Sequence, residues 1–245
     1  MKKGTKQILA YVFFALIFSI VSLLMIFLSS AFTKSTESTD ISKEKYGDNS
    51  GYPTVIIDAG HGGEDGGAVG INGIYEKELN LIIAADLCDM LRSNGVNVIM
   101  TRENDVMLYD KSADYKGRKK LLDLAERLRI GENCEDSVFV SIHMNSFPQE
   151  KYSGFQVYYS ANNQGSQILA ENIQTAVCES IQKNNGRSIK KADGNIYLLD
   201  RLSSPAVLIE CGFISNSEEC ALLCTEEYRQ KLTLSIFCGI MESIS

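Results

Sequence analysis

Thr54-Val55-Ile56-Ile57-Asp58-Ala59-Gly60-His61-Gly62-Gly63 decides the fold. Val55, Ile56 and Ile57 form a short, unbroken apolar run, and the chain then enters a glycine-rich loop at Asp58-Ala59-Gly60. A run apolar on consecutive positions is buried on both faces, as in a strand of a parallel sheet.

Working outward, Leu79, Ile82, Ile83, Leu87, Met90 and Leu91 recur at helical spacing, and Gly95 closes that segment. Val96 to Met100 reads as a second strand. Leu121, Leu122, Leu124, Ala125 and Leu128 mark a second helix stopped at Gly131, and Val138 to Ile142 a third strand. Phe155 to Tyr159, a helix from Ile168 to Ile181, the strand Ala206 to Ile209 and a final helix from about Tyr228 to Met241 complete the pattern. Strands separated by helices of this length give a single α/β domain with a mainly parallel central sheet covered by helices on both faces. Its ligand site is expected at the carboxyl ends of the strands.

The N-terminus has a different character. From Ile8 to Leu28 only Ser19 and Ser22 interrupt an apolar run, and no charge occurs between Lys6 and Lys34. As a helix it would be about 31 Å long, close to the thickness of a bilayer's hydrocarbon core. Lys2, Lys3 and Lys6 should stay in the cytoplasm and send the rest of the chain outward. Residues 1–32 are therefore expected to be a membrane anchor, uncleaved, with release as a cleaved signal segment the alternative suggested by Ser29-Ser30-Ala31. Residues 33–53 are polar and read as a flexible linker, and 54–245 as the domain.

Without the three N-terminal lysines, 21 basic residues face 31 acidic ones, a balance of −10. That argues against nucleic acid or anionic lipid as the domain's ligand. Seven cysteines at scattered positions (88, 134, 178, 211, 220, 224 and 238) cannot all pair, and most lie on apolar faces, so they read as small buried hydrophobes.

The domain has two histidines, His61 and His143, each just beyond the carboxyl end of an expected buried strand. A catalytic zinc site takes three protein ligands and an open position, often two histidines and a carboxylate. Glu64 makes a His-x-x-Glu pair with His61. Glu76 lies fifteen residues beyond His61 at the start of the first helix, across a loop whose glycines could fold it back. Chemistry alone leaves the two carboxylates open. Glu210 follows Ala206-Val207-Leu208-Ile209, where burial raises a carboxyl pKa and suits it to proton transfer. A phosphate cradle in the glycine loop is set aside, because no Gly-Lys-Ser/Thr follows and Glu64 and Asp65 would repel an anion.

Ile56 to Gly63 with Asp65 to Ala68, Tyr75 to Leu81, Thr101-Arg102 with Asp105, Ser141 to Ser146 and Pro205 to Asn216 together resemble the zinc-dependent N-acetylmuramoyl-L-alanine amidases. The resemblance implies one zinc held by His61, Glu76 and His143, with Glu210 as the catalytic carboxylate. It also implies peptidoglycan as substrate, cut between the lactyl group of muramic acid and L-alanine. Met144 and Cys211 depart from the family's usual residues. Asp58 or Asn145 is expected to orient a ligand. An anchored catalytic domain, extracytoplasmic by the charge of its N-terminus, is similar to the small amidases that trim spore cortex, which implies an accessory activator or targeting protein. The rivals are a zinc carboxypeptidase using His61, Glu64 and His143, an inactive amidase-like binding protein, and a cysteine hydrolase using Cys211.

Overall fold

The computed structural model describes residues 51–110, 112 and 116–245, so the expected anchor and nearly all of the linker lie outside the described residues. Among those described, no helix is long and apolar enough to cross a membrane. Six strands form one sheet: β1 (Thr54–Ala59), β2 (Val98–Met100), β3 (Ser137–Asn145), β4 (Gln156–Tyr159), β5 (Lys190–Lys191) and β6 (Ala206–Phe213). Among the described residues five helices accompany them: α1 (Glu76–Ser93), α2 (Lys119–Glu132), α3 (Gly165–Ser180), α4 (Ser217–Leu223) and α5 (Glu226–Ile244).

The strand order is β2-β1-β3-β6-β4-β5. All pairs are parallel except β4 with β6. After β2 joins one side of β1, the chain returns to place β3 on the other, so the carboxyl ends of β1 and β3 flank a switch point where a cleft opens.

Side chains alternate along the strands and divide the sheet into two unlike faces. Val55, Ile57, Ala59, Val140, Ile142, Val207 and Ile209 look toward α1, α3 and α5 in one continuous apolar core. Burying each such aliphatic chain contributes about 1.5–3 kcal/mol. Ile56, Phe139 and Ala206 look the other way, onto Leu198, Leu199 and Leu202 and the half-buried Leu124 and Leu128 of α2. Tyr52, read as linker, already packs on the first core.

Several element boundaries differ from the sequence reading. β3 runs on to Asn145 and β6 to Phe213, so His143 and Glu210 are strand residues and not residues beyond a strand. Backbone pairing continues there because β3 and β6 pair with each other, and a β-bulge follows His143 and Glu210. Gly131 lies inside α2 and does not stop it. It allows close approach, since a Cβ there would collide with Leu202. The buried line of α2 is Asp123, Arg127 and Gly131, while Leu121 is exposed. All seven cysteines are free thiols; Cys88, Cys211 and Cys220 are buried as expected, but Cys238 is exposed.

Candidate metal centre

The loop after β1 is held by two arginines. Arg102 donates from Nε to the Ala59 carbonyl at 2.8 Å and from Nη2 to the Gly60 and Lys77 carbonyls at 2.9 Å each. Arg127 reaches the Ala59 carbonyl at 2.8 Å and the His61 carbonyl at 2.7 Å. So fixed, His61 adopts φ 61°, a left-handed conformation that a non-glycine residue keeps only when its surroundings impose it. Asp105 ties the rest of the loop down, accepting from Gly63 N–H and from Lys77 Nζ, both at 2.7 Å.

Arg127 is itself buried between Asp58 and Asp123. Burial works against the Arg127 charge, but the two carboxylates outweigh it and hold the guanidinium protonated well beyond its usual range. Asp58 also accepts from Thr101 at 2.7 Å and Ser141 at 2.6 Å. Neither Asp58 nor Asn145 is hydrogen-bonded to a histidine ring; the carboxylate beside His61 Nδ1 is Asp65, at 2.9 Å. Asp65 lies four residues after His61, a spacing that by itself marks no ligand or orienting role.

Glu76 opens α1, and its carboxylate folds back over the loop. Oε1 lies 3.2 Å from His61 Nε2 and 2.9 Å from His143 Nδ1, and accepts from Met144 N–H at 3.1 Å. Oε2 accepts from Ala68 N–H at 2.9 Å. Burial opposes its charge, yet the hydrogen bonds and charges of His143 and His61 hold the carboxyl well below the ordinary carboxylate range. The loop glycines make this approach feasible: a Cβ at Gly67 would strike Glu76 Oε2 at 2.5 Å, and one at Gly60 would overlap the His143 ring. One ligand atom from each of His61, Glu76 and His143 falls within 4.8 Å of the others, a grouping that could hold a metal ion. Two imidazole nitrogens and one carboxylate oxygen match the donor set of a catalytic zinc site with an open position.

Glu64 is not brought to this cluster. Its side chain is 68% exposed and pairs with Lys119 at 2.6 Å. Glu210 stands directly opposite His143 in the β3–β6 ladder, on the same face of the sheet. Its Oε2 is enclosed and without a hydrogen-bond partner, and burial pushes the carboxyl up to about 7. Cys211 faces the opposite side, in the apolar core, where burial and then the charges of Glu210 and Glu76 push its thiol well up. A thiol so placed is inert as a nucleophile.

A profile of the N-acetylmuramoyl-L-alanine amidases matches residues 55–242. The chain belongs to that family. It is thus an amidase, one of the hydrolytic enzymes of peptidoglycan. It is 37% identical over 187 residues to the germination-specific N-acetylmuramoyl-L-alanine amidase of Bacillus subtilis, covering 76% of this chain and 78% of that one. Among solved structures it resembles the CwlD amidase of Clostridioides difficile in complex with the GerS lipoprotein, at 41% identity and TM-score 0.74, over 78% of this chain and 98% of that one. The amidase AmiC2 of Nostoc punctiforme follows at 30% identity and TM-score 0.68, over 79% and 98% of the two chains. The expected family is thereby shown from sequence and fold together.

Proposed function

We propose that this amidase hydrolyses the bond between the lactyl group of N-acetylmuramic acid and L-alanine, with zinc held by His61, Glu76 and His143 and proton transfer by Glu210. The convergence of the three donors beside Glu210 carries the reading. Zinc at such a site supplies Lewis-acid polarisation of a carbonyl and acidifies water.

The residues of the chain do the rest. Glu76 would supply the negative ligand between the two imidazoles, and Asp65 stands 2.9 Å from His61 Nδ1 on the far side of that ring. Glu210, unpartnered on one oxygen, takes the proton of the attacking water and returns it to the departing amide nitrogen. An amide leaves only as the neutral amine, so the second transfer is as necessary as the first. Neither the carboxypeptidase arrangement nor the cysteine hydrolase has its key residue at this cluster, since Glu64 pairs with Lys119 and Cys211 faces the core.

Likeness to a germination-specific enzyme supports a role in spore cortex, and the relative bound to a lipoprotein supports an accessory protein partner here. The apolar run 8–28 supports an anchored, extracytoplasmic enzyme. Digestion of purified peptidoglycan followed by mass spectrometry tests the reaction: intact stem peptides freed from muramic acid are expected, and release of terminal amino acids would point to a carboxypeptidase. A reporter fused after Ser245 should be active only outside the cytoplasmic membrane; cytoplasmic activity would reverse the topology.

A further inference from the structure

Two pockets flank the reacting centre, and they differ in how their cations are matched. On the α2 side a pocket of about 270 Å³ reaches His61 and His143. Its cations are matched there: Lys120 lies 3.2 Å from Asp65, and Arg127 binds Asp58 and Asp123. On the β4 side a pocket of about 280 Å³ is lined by Asn145, Phe147, Tyr152, Tyr158, Arg187 and Phe213.

Arg187 is held in place without being neutralised. Nε donates to the Ser153 carbonyl at 2.7 Å, Nη1 donates to Gln156 Oε1 at 2.9 Å, and the guanidinium lies 4.6 Å from the Phe213 ring centre. Both partners are neutral oxygens. Glu219, the carboxylate that senses its charge, has its two oxygens engaged by Gly154 and Phe213 N–H groups. Phe147 and Tyr152 remain 45% and 38% exposed at the rim, an apolar surface that the fold alone does not require.

The place of Arg187 relative to Glu210 is set by sheet register. Gln156 stands opposite Glu210 in the β4–β6 ladder, as Glu210 stands beside His143 in β3–β6. Gln156 is thus about one strand spacing, roughly 4.8 Å, from Glu210, and its side chain holds the Arg187 guanidinium at 2.9 Å. Two residues of extended peptide span roughly 7 Å, so a chain leaving the cleaved bond toward β4 has the reach to bring its second residue to Arg187. Near that bond the glycan is neutral, its lactyl carboxyl consumed in the amide. The stem is not: when its second residue is a γ-linked glutamate, the α-carboxyl is free.

We propose that the β4-side pocket is the stem-peptide subsite and that Arg187 determines specificity by pairing with the free α-carboxylate of the second stem residue. This rests on the amidase reading above. A planar guanidinium pairs with two carboxylate oxygens at once, and an amide in place of the carboxylate removes both the charge and one acceptor.

The test uses muramyl tripeptides that differ only in whether that α-carboxyl is free or amidated. The wild-type enzyme should favour the free acid by about 10-fold or more in kcat/KM, as a charge-assisted contact implies. In Arg187→Gln the ratio of the two substrates should fall to about 1, and Arg187→Lys should restore part of it. Calorimetry with the released stem tripeptides, acid and amide, reads the same preference without cleavage. A wild-type enzyme that cleaves neither substrate, yet binds the acid stem better through Arg187, would sink the amidase reading and leave this subsite standing. Equal handling of acid and amide by the wild type, an undiminished ratio in Arg187→Gln, or loss of affinity only for stem-free glycan strands would overturn the proposal.

Discussion

The two faces of the sheet are built on opposite principles. Toward α1, α3 and α5 the strands present aliphatic side chains, and the core there is apolar and continuous. Toward α2 the same strands present Asp58, Ser141, His143 and Glu210, and the helix answers with Asp123 and Arg127. One face supplies stability through area removed from water, while the other forfeits part of that gain to hold charges where chemistry needs them. Because the side chains alternate, one strand serves both purposes.

The largest effect should come from the polar face. Glu210→Gln keeps the shape of the side chain but cannot accept a proton, so turnover should fall on the order of 10²–10⁴-fold with bound metal unchanged. Steady-state kinetics with parallel metal analysis checks this; full activity would assign proton transfer to another group. Arg127→Met comes next. It strands Asp58 and Asp123 as uncompensated buried charges and frees the carbonyl of His61. About 3–5 kcal/mol of stability should be lost in urea unfolding, with activity reduced in the fraction that folds.

A deletion of similar scale on the apolar face makes the contrast sharp. Leu87→Ala should cost about 2–5 kcal/mol in the same unfolding measurement, yet kcat of the folded enzyme should stay near wild type. If kcat fell as it does in Arg127→Met, the two faces would not be separable in function.

This division explains which parts were legible in the sequence. The strands and helices were readable because burial leaves a mark in the sequence, an unbroken apolar run in Val55-Ile56-Ile57 and a helical period in Leu79-Ile83-Leu87. The cluster of His61, Glu76 and His143 came from the resemblance to the amidase family, since spacing alone left Glu64 and Glu76 equal. In space the two part company: the glycine loop brings Glu76 beside the two histidines, while Glu64 pairs with Lys119. The inward face of α2 was misjudged for a physical reason: its leucines suggested the buried line, but Asp58 on β1 gives Arg127 a reason to be buried instead. No local pattern announces a contact between residues 69 positions apart. Arg187 escaped for the same reason, its pocket existing only once β4, β6 and the bulge are assembled.

A smaller effect follows from the charge at the sheet's polar face. Burial alone would raise the carboxyl of Asp58, but Arg127 and the hydrogen bonds of Ser141 and Thr101 outweigh it and hold it below its ordinary value. A depressed folded-state value adds stability that is fully present above the unfolded value of about 3.9 and is lost as pH falls through the folded value. Unfolding midpoints should therefore decline in acid, and Asp58→Asn should be less stable at neutral pH but show a shallower acid decline. Equal slopes would remove Asp58 from the acid-sensitive set. The smallest effect belongs to Glu64→Ala, which breaks only an exposed pair with Lys119 and should shift stability by under about 1 kcal/mol.

Zinc content of the purified enzyme tests the central claim most directly. The wild-type chain should hold one zinc, Glu64→Ala should hold the same, and Glu76→Ala should lose most of it while remaining folded by circular dichroism. A metal that survives Glu76→Ala and disappears with Glu64→Ala, or a folded and active wild-type enzyme free of zinc, would contradict the assignment of His61, Glu76 and His143.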